Sequence, residues 1–141
     1  SGERRYIAIA QMVKRLTPEN SVIFSMQHSG SIRYYGERMT LRFDWLDPEW
    51  LDRAVAWLAE RGAHPYLIAE PWEVDDVRKR FAGTVTVERL LDPPLAIYEE
   101  PNILYMFDLV GPPPTPTAGI RGVDAGFRAI PPTPAPGLRL R

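Results

Sequence analysis

Residues 22 to 26, Val-Ile-Phe-Ser-Met, constrain the fold more than any other stretch of the chain. The apolar residues do not alternate with polar ones, and the run stops abruptly at Gln27-His28-Ser29. A short run of this kind, from Ser21 to Met26, reads as a strand buried on both faces, which requires helices on both sides of its sheet. Its polar ending then lies at the carboxyl end of the strand, where open α/β sheets hold their ligands.

The segments around this strand fit such a sheet. Residues 3 to 16 place Tyr6, Ile9, Ala10, Val13 and Leu16 on one helical stripe, closed by Lys14 and Arg15 and stopped by Pro18. A short helix is expected over 30 to 35, capped by Ser29 and ended by Gly36. A second strand is expected over 39 to 44. Asp47-Pro48 has the form of a helix start, an acidic N-cap followed by proline at the first helical position. The helix should run to Arg61, with Leu51, Ala54, Val55 and Leu58 inward, Trp50 and Trp57 packed beside them as core, and Gly62 as terminator. Further strands are expected over 65 to 70 and 84 to 91, with a helix over 72 to 81 between them. A hairpin is expected from 95 to 99 and 103 to 110 around Pro101-Asn102. This order predicts a three-layer, Rossmann-like α/β sandwich whose sheet is mostly parallel and finishes in a C-terminal antiparallel hairpin.

The domain is expected to occupy residues 1–110. Eight of the 15 prolines and five of the 10 glycines lie in residues 111–141, so that stretch reads as an extended or disordered tail, laid in part along the domain through Ile120, Val123 and Phe127. The 141-residue chain carries a net charge of −1, which gives no electrostatic footprint for nucleic acid. It has no cysteine, which excludes disulfides and thiolate chemistry, and no apolar run of about 18 residues to span a bilayer. The opening Ser1-Gly2 looks like the remnant of a removed tag, so the chain reads as a piece of something longer.

Residues 22 to 81 carry a family resemblance, through Gln27-His28-Ser29-Gly30-Ser31, Arg33-Tyr34-Tyr35, Asp47-Pro48 and Glu70-Pro71-Trp72-Glu73. The stretch resembles the carboxyl-terminal soluble domain of polytopic bacterial membrane proteins that are similar to dolichyl-phosphate-mannose-protein mannosyltransferases. The resemblance implies a domain on the extracytoplasmic, periplasmic face of a glycosyltransferase-like membrane protein. The membrane portion of the same polypeptide is then its first partner, and a polyprenyl-phosphate sugar or an acceptor its second. In such transferases the catalytic acid lies in a loop between early membrane helices. That loop has no counterpart in this chain, so the domain is expected to be non-catalytic and to assist recognition.

The residues themselves name a candidate ligand site: Gln27, His28, Ser29, Ser31, Arg33, Tyr35 and Glu70. Amide N–H groups and hydroxyls at a helix start can hold a phosphate or carboxylate, with arginine for charge and tyrosine for stacking on a sugar. The plain alternative is a capped helix with packed tyrosines. Neither a GxGxxG turn nor a Walker lysine pattern is present, and no GxSxG elbow supports a serine–histidine pair, so no catalytic residue and no cofactor are expected. No metal site is expected either, because His28 and His64 have no ligand-type spacing. Glu70, Glu73, Asp75 and Asp76 can bind a cation or act as acid and base, but acids in a first helical turn equally complement the helix dipole. The tryptophans Trp45, Trp50, Trp57 and Trp72 would make a carbohydrate-stacking surface if several were exposed. Two alternatives stand beside recognition within a larger protein: a small independent ligand-binding protein or enzyme with a polar pocket after the first strand, and a purely structural module.

Overall fold

Every residue of β1 (Ser21–Ser25) is buried, as its unbroken apolar run requires. The computed structural model describes residues 2–99, 102–112 and 127–128. In it β1 lies between β2 (Met39–Arg42) and β3 (His64–Ala69), parallel to both. β3 then pairs antiparallel with β5 (Leu104–Asp108), β5 with β4 (Ala96–Tyr98), and β4 with a two-residue β6 (Phe127–Arg128). The result is an open mixed sheet of order β2-β1-β3-β5-β4-β6. The hairpin is present, with β5 inside the sheet, as its apolar sequence demands. Apart from Gly111, Pro112 and the β6 pair, the tail lies outside the described residues, and with it Ile120 and Val123.

Helices cover both faces. On one, α1 (Gly2–Leu16) and α2 (Ser29–Tyr35) bury Ile9, Ala10, Met12, Val13 and Ile32 against Ile23, Ile68 and Met106. On the other, α3 (Leu51–Glu60) and α4 (Pro71–Arg80) bury Leu51, Val55, Val74 and Val77 against Phe24, Leu67 and Phe107. Ile23 and Phe24 point to opposite sides and both are fully buried, and truncating Phe24 to alanine would cost about 3–5 kcal/mol. The α1–α2 contact is close: a Cβ on Gly36 would stand 2.7 Å from the Ile32 carbonyl oxygen and 2.8 Å from that of Ala10. Among the described residues no helix is long and apolar enough to cross a membrane.

Four local expectations need correction. Residues 84 to 91 are not a strand. They form α5 (Val85–Glu88) and a 3-10 turn, Arg89–Leu91. The Thr84 hydroxyl accepts the Val87 N–H at 3.3 Å, and the Asp52 carboxylate accepts the N–H groups of Val85 and Thr86 at 2.9 and 2.8 Å. These tertiary caps override the β-propensity of the Val-Thr-Val run. Second, Ser29 does not cap α2. It lies inside the helix, His28 holds the N-cap position, and the Ser29 hydroxyl is 2.7 Å from that of Ser25. Third, the helix announced by Asp47-Pro48 opens with a 3-10 turn, Pro48–Trp50, and becomes α-helical only at Leu51. Fourth, Pro71 begins α4 rather than preceding it. Gly62 does end its helix, at φ 80°.

Candidate functional site

The strand order places a topological switch beside β1. The chain leaves β1 through α2 toward β2, then returns through α3 to β3 on β1's other side. α2 and α4 follow the two adjacent parallel strands, and they pack on opposite faces of the sheet. The carboxyl ends of β1 and β3 therefore meet at the position where such sheets bind ligands.

Three residues meet there. His28 follows β1, and Glu70 and Glu73 occupy the N-cap and third positions of α4. The two glutamates form a capping box: Glu73 N–H donates to the Glu70 side chain, and Glu70 N–H donates to Glu73 Oε1 at 2.8 Å. Gln27 Nε2 donates to Glu70 Oε2, and His28 Nε2 lies 3.5 Å from the same oxygen. Gln27 is exposed, Glu70 is buried except for part of its side chain, and His28 and Glu73 are fully buried.

Burial governs the charge states. It lowers the His28 pKa to about 4, with the positive charge of Arg5 adding to the effect. It pushes the Glu73 carboxyl up to about 7, helped by the charges of Glu70 and Asp44 and opposed by backbone N–H donors from Glu70 and Gln27. Both ring nitrogens of His28 and Glu73 Oε2 have no hydrogen-bond partner among the described residues. Each such buried, unsatisfied group costs on the order of 1–3 kcal/mol.

Of the seven residues named from the sequence, Gln27, His28 and Glu70 come together. Ser29 and Ser31 lie beside them, but their hydroxyls are engaged within the chain, Ser29 with Ser25 and Ser31 donating to the His28 carbonyl at 3.1 Å. Arg33 and Tyr35 are exposed near the other end of α2. Tyr35 stands roughly 9 Å along the helix from Ser29, at about 1.5 Å per residue. Its ring meets that of Tyr34 edge-on at 4.8 Å. Arg38 is structural: its guanidinium donates to the Lys14 and Thr17 carbonyls at 2.9 and 2.8 Å, which fastens the end of α1. Tyr6 was missed. Its ring lies 4.9 Å from that of His28, because α1 runs back over the sheet and brings its first turns to this end.

A second surface lies on the flank of β2. Trp50 and Trp57 are 46% and 54% exposed rather than core, and Trp45 and Trp72 are also exposed. The buried residues of α3 are Leu51 and Val55, with Ala54 and Leu58 partly buried beside them, and Trp50 and Trp57, one residue before Leu51 and Leu58, turn outward. Leu41, Ala54, Leu58 and the two indoles line a groove of about 290 Å³, with Arg53 the one charged residue in its wall. Arg53 and Arg61 lie over Trp50 and Trp57 at 4.9 and 3.9 Å from the ring centroids. Comparison of the chain with protein-family models, curated proteins and solved structures gave no match.

Proposed function

We propose that this chain is a non-catalytic recognition domain serving a larger glycosyltransferase-like membrane protein on its extracytoplasmic face, where it receives a lipid-linked sugar. We read its architecture as the three-layer Rossmann-like type. The observation that carries the reading is the tryptophan groove beside β2. Solvent-exposed indoles over an apolar floor are costly unless they are covered in use. Their flat faces suit a polyprenyl chain or a sugar ring, while Arg53 in the wall and Arg61 at the rim suit the phosphate between them. The resemblance over residues 22 to 81 implies the same ligand class.

Indole fluorescence of the chain, titrated with a short-chain polyprenyl phosphate, tests this reading. Saturable quenching is expected, weakened at least tenfold by Trp57→Ala and by Arg53→Ala, with the uncharged polyprenol binding less tightly. Equal response to polyprenol and polyprenyl phosphate, or none to either, overturns the lipid-linked-sugar reading. Sugar transfer by this chain alone would overturn the non-catalytic part.

A second reading has its own observation. The meeting of Gln27, His28 and Glu70 at the switch point favours an independent ligand-binding protein with its pocket after β1. Small-ligand binding lost in Gln27→Ala but retained in Trp57→Ala would select it.

A further inference from the structure

The groups at the carboxyl ends of β1 and β3 form a donor set that lacks its centre. One nitrogen of His28 and one carboxylate oxygen from each of Glu70 and Glu73 all lie within 4.8 Å of one another. The 3.5 Å between His28 Nε2 and Glu70 Oε2 is too long for a useful hydrogen bond. It does equal a ligand–ligand edge: atoms held ~2.0–2.2 Å from a tetrahedral ion stand roughly 3.3–3.6 Å apart.

Acidic residues in a first helical turn are common without a cation, so the glutamates alone say little. The independent observation is His28. Its side chain is completely buried, both ring nitrogens lack a partner among the described residues, and its Nε2 is the atom nearest Glu70. Glu73 is close to this pattern: Oε1 accepts the Glu70 N–H, the Gln27 N–H also faces the carboxylate, and Oε2 is buried without a hydrogen bond of normal geometry. A single ion would satisfy His28 Nε2 and Glu73 Oε2 together.

We propose that His28, Glu70 and Glu73 form a binding site for one divalent transition-metal ion of the zinc class. An imidazole and two carboxylates suit zinc, cobalt or manganese better than magnesium or calcium, which favour sites made only of oxygen. Three protein ligands leave a fourth position for water or a ligand oxygen. The carboxylates have supporting contacts of the kind metal ligands use: the capping box fixes both, and Gln27 donates to Glu70; the Tyr6 ring flanks the imidazole. Entry is from the side of Gln27, where the Glu70 side chain keeps 12% of its exposure. The site is separate from the tryptophan groove and does not depend on it.

The test is titration of the metal-free 141-residue chain with Co²⁺, followed by visible absorption and by calorimetry, with Zn²⁺ as competitor. One equivalent is expected, with the absorption of a low-coordinate nitrogen–oxygen site that Zn²⁺ displaces. Glu73→Gln retains the capping acceptor, so its fold should persist by circular dichroism while affinity falls at least tenfold. His28→Gln should abolish the absorption, and Glu60→Gln, an exposed carboxylate on α3, should change nothing. Failure of the wild-type chain to bind one equivalent overturns the proposal. So does binding that is unchanged in both folded Glu73→Gln and His28→Gln chains, which would assign the ion to surface carboxylates.

Discussion

The two histidines sit at opposite ends of the sheet. His64 opens β3, is half-buried, and places Nε2 2.7 Å from Asp108 Oδ1, with its ring stacked on Tyr66 at 4.6 Å. The same Asp108 oxygen accepts the N–H groups of Val110 and Gly111 at 3.0 and 2.6 Å. His28 follows β1 at the carboxyl end, is wholly buried, and has neither nitrogen hydrogen-bonded among the described residues. One end of the sheet thus uses its histidine to close the structure, through a hydrogen bond to Asp108. The other end holds its histidine and a glutamate at a cost in stability. Buried titratable groups left in that condition are the ones to examine for function.

The contrast predicts different penalties. Asp108→Ala removes the hydrogen-bond partner of His64 and the acceptor of two backbone N–H groups, so urea denaturation should show a loss of about 2–4 kcal/mol. A loss below about 1 kcal/mol would mean that the amino end is not the structural one. Glu73→Gln, measured at pH 8 in chelator, should leave stability equal or raise it by about 1–2 kcal/mol, since it removes a buried carboxylate and keeps the cap.

pH sharpens the comparison further. The folded-state pKa of Glu73, about 7, lies above its ordinary value of 4.5, so the native state holds the extra proton and stability falls as pH rises from 4.5 to 7. His28 is lowered from 6.5 to about 4, so the unfolded state binds the extra proton and stability falls as pH drops from 6.5 to 4. The opposed slopes should nearly cancel in the wild-type chain in chelator. Glu73→Gln should show only the rise from pH 4 to 6.5, and His28→Gln only the fall from 4.5 to 7. Identical profiles in all three would remove the physical basis of the contrast. The smallest effect is expected at Trp57→Ala, which should move stability by no more than about 0.5 kcal/mol while changing ligand response.

Much of this fold was legible in the chain, because local chemistry and global packing agree over most of it. The unbroken 21–26 run, the Asp47-Pro48 start and Gly62 each mean one thing locally, and each has a matching element. Thr84 to Leu91 failed because its fate is decided by Asp52, in a different helix. Trp50 and Trp57 failed for a reason of phase. The helix opens with a 3-10 turn, and its inward stripe is Leu51, Ala54, Val55 and Leu58, with Trp50 and Trp57 one residue before Leu51 and Leu58. At the candidate site, Gln27, His28 and Glu70 could be found because adjacent parallel strands deliver their ends together. Glu73 was visible as an acid but had an equally good role at the helix start. Tyr6 and Arg5 could not be placed without knowing that the first turns of α1 lie over the end of β1. No metal-type spacing exists because the donors come from two separate elements, and only the fold brings them within reach.

The two-residue pairing of β6 with β4 has a consequence for self-association. The outermost strand of an open sheet is a template on which another chain can polymerise, and long flat margins are dangerous for that reason. Here the margin is taken by Phe127 and Arg128 of the same polypeptide. Pro131 and Pro132 follow closely in sequence and have no N–H with which to extend a ladder. A chain shortened before Phe127 should therefore form intermolecular β-structure more readily on prolonged incubation.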